Sequence, residues 1–362
     1  MNHLKDLPAP VVDLIRRSFQ SEFGTVSSAG VPIDTPMNHF WSEDLKSLDC
    51  GTGLGYPIKA ERVRRNPKVG LLLEGCGPDE PVISIAGLGA VRDSDLQANT
   101  ERYIAETAGE RVNKAPWSLA KNAVWYYCKI IIEIVPVRIL WWASHTEMES
   151  PPHRWDAPAD TVYPPSDPAP PGELSTAAKW PQPSWRELAR RAMAREAMLR
   201  PHRMPGVLTP DGIRATARAP AHLTVCDDQG YPLPIRVRDV QLVDDGFRMS
   251  VPKGAPWQRS GKATLTYEGL ETFIGDITPD GDMTFLKVER ALPLHPITAD
   301  PKRIWEPTQE TYDGLMTRVK QELARRNQPI PTISAAEPVP TEGARLRMAR
   351  IASFGTPDPV GR

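Results

Sequence analysis

The residues with the most evident chemistry lie in one glycine-rich stretch, 51–60, which reads Gly-Thr-Gly-Leu-Gly-Tyr-Pro-Ile-Lys-Ala. Glycines let backbone N–H groups approach a ligand closely, and Thr52 adds a hydroxyl. Lys59 adds a cation near the start of an expected helix, whose free N–H groups favour anions. The stretch, with Gly51 at its head, therefore predicts a phosphate site. A surface turn without a ligand is the alternative reading.

This stretch does not match the usual nucleotide motifs. A Walker loop needs Gly-Lys-Ser/Thr where this chain has Ile58-Lys59-Ala60, and the dinucleotide fingerprint needs glycine where Tyr56 stands. The chain also lacks the Gly-x-Ser-x-Gly elbow of acyl-transfer enzymes. No Cys-x-x-Cys pair occurs, so neither a disulfide framework nor a zinc ribbon is expected, and no metal site is assigned. The cysteines are Cys50, Cys76, Cys128 and Cys226.

The elements that must position the stretch are short strands with few helices between them. Hydrophobic periodicity predicts helices at 11–21, 58–66 and 93–106. Alternating or continuous apolar runs predict strands at 23–27, 31–41, 47–52, 68–74, 82–91 and 130–142. Six or so strands of this kind suggest a barrel rather than a doubly wound sheet.

Length and proline distribution predict the domain organisation. The chain has 362 residues, which predicts about two domains. Ten prolines fall within the 33 residues 151–183, a composition typical of an extended linker. We therefore expect a first domain at 1–150, a linker at 151–184, a second domain at 185–300, and a C-terminal helix with a disordered tail at 301–362.

The second domain repeats features of the first in the same order. Thr25-Val26-Ser27 with Gly30-Val31-Pro32-Ile33 returns as Thr224-Val225-Cys226 with Gly230-Tyr231-Pro232-Leu233. Two weaker matches follow, 72–75 with 266–269 and 133–138 with 287–292. Three matches in one order favour a duplication. Chance similarity between unrelated β-domains is the alternative.

The first block also resembles a known family. From about Phe23 to Arg92 its order of residues is similar to that of the pyridoxamine 5′-phosphate oxidase-like, FMN-binding split β-barrels. The resemblance rests on the strand and glycine turn at 24–30, the proline-containing strand 35–40, Thr52, Lys59, and Arg64-Arg65-Asn66-Pro67-Lys68-Val69 leading into an apolar strand. It implies a mainly β fold with short helices, here two split β-barrels in tandem that form an intramolecular pseudo-dimer.

The resemblance further implies a cofactor and its ligands. The turn at Gly51 and Thr52, together with Lys59, would hold the phosphate of FMN, and the strand at Pro36, Met37 and Asn38 would lie along its isoalloxazine ring. The turn 251–259 of the second block lacks the sequence that follows Lys59, so we expect one full site rather than two.

The resemblance also implies a class of activity. It suggests an FMN-dependent oxidoreductase acting on a small molecule. A deazaflavin-dependent reductase and a non-catalytic flavin- or haem-binding module are the alternatives. No catalytic acid or base is assigned, and His39 and Cys50 are only the nearest reactive types. We expect a monomeric pseudo-dimer or a homodimer.

Charge and hydropathy exclude two classes of partner. Lys plus Arg total 44 and Asp plus Glu 45, giving a formal net charge of −1. General nucleic-acid binders and binders of anionic membranes usually carry a basic surplus, so neither partner is expected. No apolar run reaches the ~18 residues of a membrane span, and residues 1–8 lack a signal-peptide core, which predicts a cytoplasmic protein.

Overall fold

A computed structural model describes residues 3–18, 20–41, 46–74, 80–108, 116–175, 183–199, 221–267, 271–292 and 306–354. The strands of the first half are β1 (Gln20–Val26), β2 (Pro32–Trp41), β3 (Leu48–Gly53), β4 (Lys68–Glu74), β5 (Val82–Arg92), β6 (Lys129–Trp142) and β7 (His153–Asp156). Those of the second half are β8 (Ala221–Cys226), β9 (Pro232–Arg236), β10 (Arg238–Val243), β11 (Gly246–Ser250), β12 (Gly261–Tyr267), β13 (Glu271–Asp280) and β14 (Met283–Ala291).

Helices are short and lie outside the sheets. The helices of the first half are α1 (Ala9–Arg17), α2 (Ile58–Arg65), α3 (Leu96–Glu106), α4 (Trp117–Ala120) and α5 (Val124–Tyr127). The later ones are α6 (Trp185–Leu199), α7 (Gln309–Arg325) and α8 (Glu342–Phe354). These bounds confirm the predicted helices and strands to within a few residues, although α1 ends at Arg17 and α3 begins after its cap, Asp95, whose side chain accepts from the Ala98 N–H.

The first half is a closed antiparallel barrel. Its strand order is β3-β2-β1-β4-β5-β6-β7, and β3 also pairs with β6, which closes six of the strands into a ring. The interior is filled by alternate apolar residues such as Phe23, Leu71, Ile85 and Ile132. Closure removes the exposed edges that a six-stranded open sheet would leave.

The second half follows the same circular order but stays open. Its strand order is β10-β11-β14-β13-β12-β8-β9. Strands β9 and β10 lie at opposite edges and are consecutive in the chain, separated only by Val237. Together they occupy the place that the single strand β2 occupies in the first barrel. The duplication predicted from the sequence is therefore confirmed, with the second barrel broken at this strand.

The matching hairpin turns of the two halves show the repeat in detail. In the first, the Ser27 N–H donates to the Val31 carbonyl at 2.8 Å; in the second, the Asp227 N–H donates to the Tyr231 carbonyl at 2.9 Å. Gly30 and Gly230 have φ of 73° and 82°. Only glycine adopts this left-handed conformation without a steric penalty, which explains why both repeats carry it here.

The two barrels pack on each other reciprocally, as the halves of a two-fold dimer would. Strand β9 lies across β4, and its counterpart β2 lies across β12. At the first crossing the backbone of Pro232 is so close that a Cβ on Gly70 would stand 1.8 Å from its carbonyl oxygen. The glycine therefore sets how closely the two barrels approach, and the expected pseudo-dimer is confirmed as the tandem architecture.

A buried polar network crosses this interface. Asp34 of β2, fully buried, accepts from the Thr264 and Thr266 hydroxyls of β12 at 3.2 and 2.9 Å. Glu74 of β4 pairs with Arg236 of β9 and lies 3.3 Å from Nε2 of His222. These contacts join charged groups of both halves, so the network fixes how the barrels are docked.

The C-terminal segment differs from the predicted disordered tail over residues 327–354. Helix α7 packs Leu315, Val319 and Leu323 into the first barrel's core, and α8 follows it. Arg347 of α8 forms a buried ion pair with Glu106 at 2.8 Å. The segment is thus held by tertiary contacts that hydropathy does not show. Residues 355–362 lie outside the described residues.

Residues 153–175 of the proline-rich segment lie against the first barrel, and residues 176–182 lie outside the described residues. Strand β7 pairs with β6. Farther on, Asp167 accepts from the Asp93 and Ser94 N–H groups at 2.8 and 2.9 Å. Proline supplies an extended backbone, and these side-chain contacts fix its path.

Candidate functional site

The glycine-rich stretch joins the end of β3 to the start of α2. Strand β3 lies between β2 and β6, so its backbone is held on both sides. After it, the Leu54 N–H donates to the Cys128 carbonyl and the Tyr56 N–H to the Gly53 carbonyl, both at 2.9 Å. The turn is therefore fixed by backbone hydrogen bonds, which disfavours the reading as a mobile surface turn.

Thr52 carries a buried hydroxyl that has no hydrogen-bond partner among the residues the structure describes. Its side chain is on the same face of β3 as Leu48 and Cys50, because alternate residues of a strand share a face. The residue is 1% exposed, and Oγ1 has no partner among the described residues. A buried polar atom without a partner is costly, so this hydroxyl is suited to a ligand oxygen.

Lys59 lies in the first turn of α2. Burial, and next the neighbouring Arg62 guanidinium, lower the pKa of Lys59 to about 8. Burial, with Arg65 and Arg290 nearby, likewise lowers the pKa of Arg62 to about 10. Within the described parts of the chain Lys59 forms no ion pair. This end of the barrel is thus rich in cations and suited to an anion.

Lys129, the first residue of β6, is a site residue that the sequence reasoning missed. It pairs with Gly53 across the strands and is 7% exposed. Its Nζ lies 4.5 Å from the Tyr103 ring centroid and 4.3 Å from that of Tyr126. Burial, and then Lys59, lower the pKa of Lys129 to about 7. A lysine directly before the apolar residues 130–132 was the available signal.

Tyr103 of α3 covers the outer face of β3. A Cβ on Gly51 would stand 2.7 Å from Cδ2 of this tyrosine. The Asn38 amide donates to the Tyr103 hydroxyl at 3.3 Å, and the tyrosine ring is edge-on to Phe40. Two residues predicted to contact the cofactor, Asn38 at the ring and Gly51 at the phosphate turn, are thus brought together through one aromatic side chain.

The glycine at position 51 gives the first prediction. Gly51→Ala should lower the free energy of unfolding by roughly 1–3 kcal/mol, because the new methyl group overlaps the buried Tyr103 ring. Gly53→Ala is the matched control in the same strand, since its Cβ would meet only Tyr56, at 3.7 Å. Urea denaturation of both variants measures the difference. Equal stability of the two would contradict the packing described here.

The other predicted residues of β2 take different positions. Met37 is 5% exposed and packs in the barrel core, whereas Pro36 is half-buried on the opposite face. His39 lies 3.1 Å from the Ser18 hydroxyl through Nε2, and burial lowers the pKa of His39 to about 3. Burial also raises the pKa of the Cys50 thiol. Both reactive types are therefore core groups, held in their neutral forms.

Asp49 is a second group that the sequence reasoning missed. It lies on the outer face of β3, opposite Glu133 of β6, and Arg102 contacts it at 2.5 Å. Burial, although opposed by Arg102, raises the pKa of Asp49 to about 6. This carboxyl group can therefore exchange a proton near neutral pH.

The corresponding turn of the second barrel is filled by the chain itself. The Gly254 N–H donates to the Met148 carbonyl at 2.9 Å, and a Cβ on Gly254 would stand 2.0 Å from the Ser150 carbonyl oxygen. The Lys253 N–H donates to the Glu149 carboxylate at 3.3 Å. The donors that an anion would need at this turn are thus already occupied.

The first site fits the phosphate end of a flavin mononucleotide. Thr52 offers an unpartnered buried hydroxyl, and Lys59 and Lys129 offer cations without ion pairs within the described residues. The outer face at Gly51 is covered by Tyr103, so a ring bound along β2 would contact that tyrosine. In the part of the chain that the structure describes, no three His, Cys, Asp or Glu side chains are placed to hold a metal ion.

The chain was compared with known proteins. No protein-family profile matches the chain, and no curated protein matches it in sequence. Among solved structures, a pyridoxamine 5′-phosphate oxidase-related, FMN-binding protein from Nostoc punctiforme matches with 13% identity, covering 45% of this chain and 96% of that one, at a TM-score of 0.33. A protein related to general stress protein 26 (pyridoxinephosphate oxidase family) from Clostridium acetobutylicum matches with 14% identity. That match covers 40% of this chain and 91% of the other, at a TM-score of 0.31.

A third match is PhzG from Burkholderia lata in complex with tetrahydrophenazine-1-carboxylic acid, with 11% identity. It covers 44% of this chain and 93% of that one, at a TM-score of 0.31. Each match covers less than half of this chain, about the length of one barrel. The strand order and the closure of β3 on β6 establish the fold independently of these matches. The strand order gives the chain a split-barrel fold in tandem, and its solved structural neighbours include pyridoxamine 5′-phosphate oxidase-related proteins.

Proposed function

We propose that the chain is an FMN-dependent oxidoreductase that acts on a small molecule. The observation that carries the proposal is the buried Thr52 hydroxyl, which lacks a partner among the described residues, at the end of β3. Lys59 follows in the first turn of α2 and supplies the charge that a phosphate requires. Both residues were predicted as phosphate ligands from the resemblance.

Each part of the site has a distinct role in this proposal. Bound FMN supplies hydride or electron transfer, and the protein supplies position and electrostatics. Thr52 donates to a phosphate oxygen, and Lys59 balances its charge. Gly51 would hold the phosphate with Thr52, and the backbone of Pro36, Met37 and Asn38 would lie beside the ring. Asp49 lies on the outer face of β3, and burial, although opposed by Arg102, raises its pKa to about 6.

Two features support one cofactor per chain. The turn 251–259 is filled by residues 148–150. The reciprocal contacts of the barrels supply the second half of the dimer within one chain. We therefore propose a monomeric pseudo-dimer with one FMN, and the mass of the purified protein by light scattering distinguishes it from a homodimer. Among the described residues no helix is long and apolar enough to cross a membrane.

Removing the phosphate contact gives the second prediction. Lys59→Ala should weaken FMN binding by roughly 1.5–3 kcal/mol, about 10- to 150-fold in Kd, because a charge-assisted contact is lost from a partly desolvated site. Quenching of flavin fluorescence on titration measures Kd. Arg65→Ala is the matched control, since Arg65 is exposed at the other end of the same helix. Loss of affinity in both variants alike would count against a specific role for Lys59.

The alternatives differ from this proposal in spectrum and turnover. The absorbance spectrum of purified protein, with and without added FMN, a deazaflavin coenzyme or haem, identifies the cofactor class. An oxidoreductase loaded with FMN should be reduced by a nicotinamide nucleotide or an organic donor and reoxidised by an acceptor over many cycles. Loaded protein that never completes a second cycle would instead be a non-catalytic binding module.

A further inference from the structure

His222 of β8 is a buried histidine of the second barrel whose ring lies between two carboxylates of the first. It is 1% exposed, with Nε2 at 3.3 Å from Oε2 of Glu74 and Nδ1 at 3.8 Å from Oε1 of Glu22. A neutral imidazole has one N–H, so one of its two nitrogens would direct a lone pair at a carboxylate. An imidazolium has an N–H on both nitrogens. The geometry therefore favours the protonated ring.

Glu22 and His222 occupy equivalent positions in the two barrels. Each lies five residues before the residue whose N–H begins the matching hairpin turn, Ser27 in the first barrel and Asp227 in the second. A residue that contacts its own counterpart lies near the axis that relates the two halves. A dimer of identical barrels would place two glutamates or two histidines there. The tandem chain instead places an acid opposite a base.

Three further titratable or charged groups face this pair. Arg236 of β9 contacts Glu74. Asp34 of β2 interacts electrostatically with His222, and burial raises the pKa of Asp34, which favours its neutral form. His145, which follows β6 and is half-buried, acts on Glu74 more weakly than Arg236 and His222 do. The charge around the ring is thus set by residues of both barrels.

With Asp34 neutral, the carboxylates of Glu22 and Glu74 face one permanent cation, Arg236. A proton on His222 supplies the second positive charge, and buried ionic groups are stabilised only when they are paired. We propose that His222 is a proton-dependent lock between the barrels: its imidazolium bridges Glu22 and Glu74 across the interface, and loss of the proton weakens their docking.

The surrounding charges give the direction of the pH dependence. Although burial opposes it, Glu22 and then Glu74 raise the pKa of His222 above its usual value of about 6.5. Because the folded pKa is higher than the unfolded one, the stabilisation is complete below about pH 6.5 and is lost as the pH rises through the folded pKa. The lock therefore opens on the alkaline side.

An NMR titration of the histidine ring protons in the full chain tests the proposal. The chain has seven histidines, and the signal missing from His222→Gln identifies His222. We expect it to titrate above about pH 6.5 in the wild type, and roughly one pH unit lower in Glu22→Gln, which removes one carboxylate. The signal that moves in Glu22→Gln also identifies His222, so the test stands if His222→Gln does not fold. A wild-type midpoint at or below about 6.5, or one unchanged in Glu22→Gln, overturns the proposal.

Urea unfolding at several pH values gives a second readout. The urea midpoint of the wild type should exceed that of His222→Gln at about pH 6, and the difference should shrink as the pH rises to about 9. Taking the difference removes the contribution of other buried groups, such as His39. The control is His145→Gln, which should keep the wild-type pH profile. A difference that is the same at every pH would show that His222 only fills space, and would overturn the lock.

Discussion

Replacing Arg236 by methionine is expected to lower the free energy of unfolding by about 3–5 kcal/mol, because it leaves a buried carboxylate without its main partner. Arg236 is 6% exposed and contacts Glu74 of the other barrel. His222, also buried, lies on the same carboxylate but adds charge only when protonated. The loss should appear as a lower urea midpoint at neutral pH.

The control for this variant is Arg238→Met. Arg238 pairs with Glu149, and both side chains are exposed, at 49% and 42%. An exposed pair contributes about 0–1 kcal/mol, so this variant should unfold close to the wild type. Two variants that lose equal stability would show that the interface network does not hold the barrels together.

The same network predicts how stability depends on pH. Although burial opposes it, Arg236, followed by His222, holds the pKa of Glu74 well below its usual range. The folded pKa is therefore lower than the unfolded value of about 4.3, so the stabilisation is complete above about pH 4.3 and is lost as the pH falls below it. Acid titration of unfolding should show a smaller loss in Arg236→Met than in the wild type.

Asp93→Ala should have an effect of similar size, about 3–5 kcal/mol. Asp93 is 3% exposed and contacts Arg64 of α2 at 2.5 Å and Arg326, which follows α7, at 2.9 Å. Removing it leaves two arginines that are 8% and 3% exposed with fewer partners. The C-terminal segment should then detach more readily from the first barrel.

Thermal and urea unfolding of Asp93→Ala, compared with Asp156→Ala, measures this effect. Asp156 pairs with Arg154, and both side chains are more than half exposed, at 52% and 55%. Its removal should therefore change stability by less than about 1 kcal/mol. A small effect at Asp93 would mean that α7 is held by its apolar residues, such as Val319, and not by the ion pairs.

The amino-acid sequence by itself determined the strands, the repeat and the turn that carries Thr52 and Lys59. Alternating and continuous apolar runs are local patterns, so β4 was predicted with the bounds Lys68–Glu74 that it has. The glycines at 30 and 230 are local too, because a left-handed turn needs them wherever the strands later pair. Thr52 and Lys59 stand out because they flank a turn into a helix.

Tertiary structure alone decided which side chains lie beside this turn. Lys129 comes 70 residues after Lys59 in the numbering, and only the pairing of β3 with β6 brings it opposite Gly53. Tyr103 reaches Gly51 because α3 packs on the outer face of the closed barrel. Likewise, the Glu149 carboxylate accepts from the Lys253 N–H in the turn 251–259 only because the two barrels pack against each other.

The physical reason is that burial and charge balance are properties of the folded environment. A lysine in a sequence is most often solvated, and although Tyr126 lies three residues before Lys129, only the fold brings Tyr103 to the same ammonium group. Local preference fixes which residues form strands and turns. The pairing of distant strands fixes which side chains share a site, and therefore which of them need a ligand.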